Sequence, residues 1–176
     1  MLVLSITFLF MNANCVFAGS NPPSTVVLRH VVPGEEQVDP LECYMMSKKN
    51  IKLYSMPYLD SKGAGVLLPN KLVKVVDYET HGFPYKNKFL YQGRDIYLLA
   101  YNGEGFYCVW MDGKVDLWLK LGTNSINTGE TFWVKVESPD KDVSGWISFS
   151  SYGSSYFYTQ IGGGVFLSLE GSSKWK

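Results

Sequence analysis

Apolar residues in this chain recur at every second position in short runs, and the clearest case is GFYCVWMDGKVDLWLK, residues 105–120. Two alternating runs flank Met111-Asp112-Gly113. A two-residue period sends successive side chains to opposite faces of a strand, and an Asp-Gly pair between such runs signals a tight hairpin. The same pattern returns at residues 41–47, at 50–56 (NIKLYSM, ending on Pro57), at 71–78 (KLVKVVDY) and at 132–136. Residues 89–100 (FLYQGRDIYLLA) read as two strands around 92–95, and 156–169 as a terminal hairpin turning at Gly162-Gly163-Gly164. No long run has the period of a helix. The expected fold is mainly β and antiparallel.

Alternation also assigns faces. Phe132, Val134 and Val136 share one, and Trp133, Lys135 and Glu137 the other. Val115, Leu117 and Leu119 oppose Lys114, Asp116, Trp118 and Lys120. Both tryptophans are therefore expected on the outer face among charges, while Trp146, just before Ile147, is expected in the core.

The first residues, LVLSITFLFM, are apolar and uncharged but shorter than the roughly 20 needed to cross a bilayer. Val16-Phe17-Ala18 before Gly19 offers small residues where a signal peptidase cuts. We read residues 1–18 as a cleaved signal, with a buried N-terminal strand or helix as the alternative. The mature chain is then periplasmic or secreted, with no transmembrane segment. Residues 19–40, rich in proline and acid, form a leader whose one apolar stretch at 26–32 can add an edge strand and which is otherwise extended, and the packed domain spans 41–176. Sixteen basic and sixteen acidic residues balance, which argues against nucleic acid as the partner, since phosphate binding draws on a basic excess. Removal of Cys15 leaves Cys43 and Cys108, an even number for an oxidising compartment. They are expected to pair, with two buried thiols as the alternative.

The segment NIKLYSMPYLDSKGAGVLLPNKLVKVVDY (50–78) resembles the opening of a bacterial SH3-like domain: a strand, a polar loop with proline, a short Val-Leu-Leu-Pro segment and an alternating valine strand. TFWVKVESPDKDVSGWISF (131–149) resembles that family's closing hairpin, through Trp133, Val134, Lys135, Val136, Gly145, Trp146 and Ile147. Leu53-Tyr54-Ser55-Met56-Pro57 lacks the arginine and glycine usual after the first strand, and residues 81–128 stand where a typical member has a short connection. The inserted EGFYCVWMDGKVDLWL echoes the closing hairpin, so one barrel with an insertion competes with two fused half-barrels. We prefer the first, because no second LYSMP-like opening precedes the inner copy. The resemblance implies an SH3-like small barrel, elaborated by an inserted β-hairpin region and a C-terminal hairpin. It also implies a non-catalytic binding or targeting role, often toward cell-wall peptidoglycan.

No cofactor, metal set or catalytic group is read from the chain. Cell-wall cysteine peptidases need histidines after the cysteine, but His81 alone follows Cys43 and none follows Cys108. His30 and His81 lack metal-ligand spacing and are read as surface residues. Asp112, Asp116, Asp140 and Asp142 sit by turns, where aspartate serves local hydrogen bonds. The binding residues expected are the aromatics Tyr54, Tyr58, Trp118 and Trp133, with Tyr54, Tyr58 and Trp133 forming a groove between the first loop and the closing hairpin. The ligand is peptidoglycan or an envelope protein. The alternative is a periplasmic inhibitor or immunity protein, blocking a cell-wall-degrading enzyme with the segment 89–121.

Overall fold

In a computed structural model, residues 21–34, 40–84, 88–122, 126, 128–149, 157–161 and 165–168 are described, the last two runs for their backbone alone. The signal segment and Cys15 lie outside them. Among the described residues, thirteen strands follow in order. They are β1 Val26–Arg29, β2 Cys43–Ser47, β3 Ile51–Tyr54, β4 Gly63–Leu67, β5 Leu72–Gly82, β6 Phe89–Tyr91 and β7 Arg94–Gly103. After these come β8 Phe106–Met111, β9 Lys114–Lys120, β10 Thr131–Glu137, β11 Ser144–Ser148, β12 Phe157–Ile161 and β13 Val165–Ser168. Their pairings are antiparallel. The fold is mainly β, as the alternation implies.

The strands make two sheets, neither closed into a full barrel. One runs β13-β12-β2-β5-β10-β11-β3-β4, with β1 added beside β5. The other is the insertion, a four-stranded meander β6-β7-β8-β9, so the insertion is a sheet of its own and larger than a hairpin. Its turns explain its regularity. Gln92-Gly93, Glu104-Gly105 and Asp112-Gly113 each place two consecutive residues at positive φ, the backbone of the tight turns that match strand twist. The C-terminal hairpin β12–β13 forms near where expected and extends the larger sheet through β2.

Strand β5 organises the larger sheet. Its first half pairs with β2, Tyr44 opposite Lys74, and its second half with β1, Arg29 opposite Glu79 and Val26 opposite Gly82. A bulge makes this possible: on the β10 side Val136 faces Val75 and Lys135 faces Asp77, leaving Val76 extra. A bulge bends a strand and strengthens its twist. The leader thus belongs to the fold, because β1 buries Val26 and Leu28.

Among the described residues, three large apolar regions and a smaller aromatic one hold the chain. Ile51, Leu53, Leu67, Val73, Val75, Val134, Val136 and Ile147 fill the inner face of the larger sheet, each fully buried aliphatic contributing about 1.5–3 kcal/mol. Val26 and Leu28 join Leu99, Ala100, Cys108 and Trp110, which ties the sheets together. The other face of the meander buries Ile96, Leu98, Tyr107, Val109 and Leu119. The sheets touch closely at Gly82, where a Cβ would stand 2.9 Å from both Leu99 Cβ and Leu99 O.

Two expectations are corrected here. Cys43 and Cys108 are not bridged: Cys43 packs in the inner core of the larger sheet, and Cys108 in the region between the sheets. An even cysteine count carries no information about which face of which sheet holds each thiol. Leu117 is partly exposed instead of inward, because β9 bulges opposite Cys108 and Asn102 Nδ2 donates to the Leu117 carbonyl at 2.7 Å.

Candidate binding site

The outer face of the larger sheet carries a second, smaller aromatic layer. On β5 the bulge at Val76 switches the alternation, so that Tyr78 packs in the inner core while Glu79 and His81 turn outward. On β10 Trp133 lies opposite Glu79, and Thr131 opposite His81. On β11 Trp146 lies opposite both Lys135 and Tyr54 of β3. Tyr54, Trp133 and Trp146 consequently form a buried cluster of their own. Tyr54 meets Trp133 edge to face, centroids 5.6 Å apart at 88°, an arrangement worth about 0.5–1.5 kcal/mol beyond area burial. Lys52 Nζ lies 4.5 Å from the Tyr54 ring centroid.

A polar pair borders this cluster. His81 Nε2 and Glu79 Oε1 are 2.7 Å apart, and both side chains are almost fully buried. A carboxylate only accepts, so with Glu79 ionised the Nε2–H donates to it. The His81 ring lies 6.1 Å from Trp133 and 5.1 Å from Tyr58, which comes from the β3–β4 loop and is 43% exposed. That loop is braced: Ser55 N–H donates to Lys62 O at 2.9 Å, Ser61 N–H to Tyr58 O at 3.0 Å, and Ser61 Oγ–H to Met56 O at 2.9 Å. Pro57 is buried between exposed Met56 and Tyr58. The rings therefore form a chain from solvent to interior: Tyr58, His81, Trp133, Tyr54.

Three of the four expected aromatics come together in this way, though not as an open groove. Trp133 is 2% exposed and Tyr54 is buried, so they are the packed floor and Tyr58 alone offers a ring to solvent. Trp133 was expected outside among charges; Tyr58, His81 and Tyr54 cover it. Its Nε1–H is buried with no hydrogen-bond partner among the described residues, a cost of about 1–3 kcal/mol. Trp118 stands apart on β9 of the inserted sheet, 55% exposed and edge to face with Phe106 at 6.2 Å. His81, expected at the surface, is instead the link in the ring chain. His30 does lie at the surface, 3.4 Å from Asp77 Oδ1.

No family model, curated protein or solved structure matches the chain. An exposed phenol ring backed by a hydrogen-bonded imidazole and a fixed indole is a rigid stacking platform.

The other reactive side chains have local partners. Asp140 and Asp142 both bind Lys71 Nζ, at 2.9 and 3.2 Å, and their hydrogen bonds with it and with Ser138 hold the Asp140 carboxyl below its usual range. Asp112 pairs with Arg94 at 3.0 Å, and Asp116 Oδ1 accepts from Trp118 N–H at 3.2 Å. Cys108 is buried beside Asn102, whose Nδ2 is 3.1 Å from Sγ, and burial pushes its thiol up to about 11. Such a thiol is protonated at neutral pH and is not a nucleophile. A shallow concavity lined by Tyr44, Lys74, Val76, Glu137, Ser138 and Pro139 includes none of the clustered aromatics.

Proposed function

We propose that this chain is a non-catalytic binding module of the bacterial SH3-like kind, acting in the cell envelope and recognising peptidoglycan. The observation that carries the reading is Tyr58, half-exposed on a braced loop and packed at a tilt against the ring of the buried His81–Glu79 pair. Aromatic rings held rigid in this way give contact area at low entropy cost and stack on sugar faces and on planar amides. It supports the family reading that the two segments carrying the resemblance, although separated by the insertion, supply five contiguous strands in the order β5-β10-β11-β3-β4. Asp112, Asp116, Asp140, Asp142 and Cys108 have structural partners, which favours binding over turnover.

The test is co-sedimentation of the chain with purified peptidoglycan, alongside Tyr58→Ala and, as a control, Trp118→Ala. The parent and the Trp118 variant are expected to sediment. Tyr58→Ala is expected to weaken binding roughly tenfold, the scale of a central interface aromatic. A parent that stays in the supernatant refutes the wall-binding reading.

A second reading rests on the inserted sheet, which exposes Leu90 and Trp118. An inhibitor or immunity protein would dock such side chains on a cell-wall-degrading enzyme. A stoichiometric complex lost in Trp118→Ala and retained in Tyr58→Ala would favour it.

A further inference from the structure

The hairpin formed by β3 and β4 ends the larger sheet, since β4 pairs with β3 and is the last strand on that side. Its loop exposes Met56 and Leu59, each at 57%, beside Tyr58. The hairpin body adds exposed Val66, which lies directly opposite Lys52 and so shares its face. Charge is distributed unevenly here. Residues 48–71 contain five lysines and one acid, Asp60, in a chain whose totals balance, so the remainder carries four net negative charges. Lys71 is occupied by Asp140 and Asp142, while Lys52 and Lys62 stand on the hairpin itself.

We propose that this hairpin docks the protein on an anionic lipid bilayer, with Met56 and Leu59 entering the interface and Lys52 and Lys62 meeting headgroup phosphates. The inference goes beyond wall recognition and concerns the neighbours of Tyr58 on the same hairpin, not its ring. Exposed Met56 and Leu59 on this loop, with Lys52 and Lys62 toward its two ends, match a planar surface that is charged outside and apolar beneath. A soluble polyanion would engage the lysines but leave Met56 and Leu59 without a role. The hydrogen bonds across the loop fix the tip in advance, which lowers the ordering cost of insertion.

Flotation with vesicles of equal phosphatidylglycerol and phosphatidylethanolamine, against pure phosphatidylcholine, tests this. The parent should float with the anionic vesicles only and be released at about 0.5 M salt, where the screening length falls to a few ångströms. Met56→Ser/Leu59→Ser should weaken binding about tenfold or more. Lys62→Gln, which leaves Lys52 over the Tyr54 ring in place, should weaken it about fivefold. These side chains are at the surface, and an unchanged circular dichroism spectrum would verify folding. No flotation, equal flotation with neutral vesicles, or binding sensitive to Lys62 but indifferent to Met56 and Leu59 would each overturn the proposal. Peptidoglycan sedimentation of the same variants keeps the two readings separate, because Tyr58 is intact in both.

Discussion

Trp133→Ala should destabilise the protein by about 3–5 kcal/mol, the range for truncating a buried large aromatic. Trp133 is 2% exposed and in contact with Tyr54 and His81, so its removal opens a cavity that the paired strands β5, β10 and β11 hinder from closing. Trp133→Phe should cost much less. It keeps a ring in the stack and removes the unpartnered Nε1–H, whose burial is itself unfavourable. Urea denaturation of the three proteins checks both statements. A Trp133→Ala loss below about 1 kcal/mol would mean that Trp133 is exposed in solution and that the layered arrangement is wrong. The contrast also matters for function, since loss of binding in Trp133→Ala would report unfolding. Tyr58 and Trp133→Phe are the informative positions.

The second large effect is alkaline. Cys108 titrates near 9.0 when solvated and near 11 in the folded chain, because burial disfavours the thiolate. A raised pKa stabilises the folded state fully below the unfolded value and loses that contribution as pH rises toward the folded one. Stability should therefore fall between about pH 9 and pH 11, by roughly 2–3 kcal/mol from this group, at about 1.4 kcal/mol per unit. Cys108→Ala should show a correspondingly smaller decline, although it starts from a lower stability because the side chain is in the core. Urea midpoints at pH 8 and pH 11 for both proteins would decide this. Equal declines would show that Cys108 is accessible to water in the folded state.

Both effects depend on features that the sequence discloses unevenly. The strands of the insertion were legible because Gln92-Gly93 and Asp112-Gly113 demand tight turns and the runs between them alternate, but alternation does not tell that they join into a sheet of their own. The faces of β10 were also legible: Phe132, Val134 and Val136 do turn to the inner core. What alternation omits is whether the opposite face meets water. Trp133 is on the expected face, but the loop carrying Tyr58 lies over that side of the sheet and leaves it buried. His81 was hidden for a different reason. Asp77, Glu79, Thr80 and His81 look like the polar end of a strand, whereas the bulge at Val76 carries β5 onward, between β1 and β10. A bulge shifts the parity of every residue after it, and nothing in KLVKVVDYETHG marks its position. Trp118 shows the opposite outcome: it was expected outside and is outside, but it belongs to the other sheet. The cysteine pairing failed because it depended on a count, and the two thiols belong to separate layers.

On the proposed reading, ligand binds at the Tyr58–His81–Trp133 ring chain and not at the inserted sheet. Tyr58 and His81 centroids are 5.1 Å apart, and His81 and Trp133 6.1 Å, so a ligand on Tyr58 should perturb the Trp133 indole through the rings between them. The direct measurement is the indole N–H region of a nitrogen–proton correlation spectrum during titration with a soluble disaccharide-peptide fragment of peptidoglycan. The expected result is a saturable shift of the Trp133 signal, absent in Tyr58→Ala, with Trp118 unmoved. A shift of Trp118 with Trp133 unchanged would place the site on the inserted sheet and contradict the account.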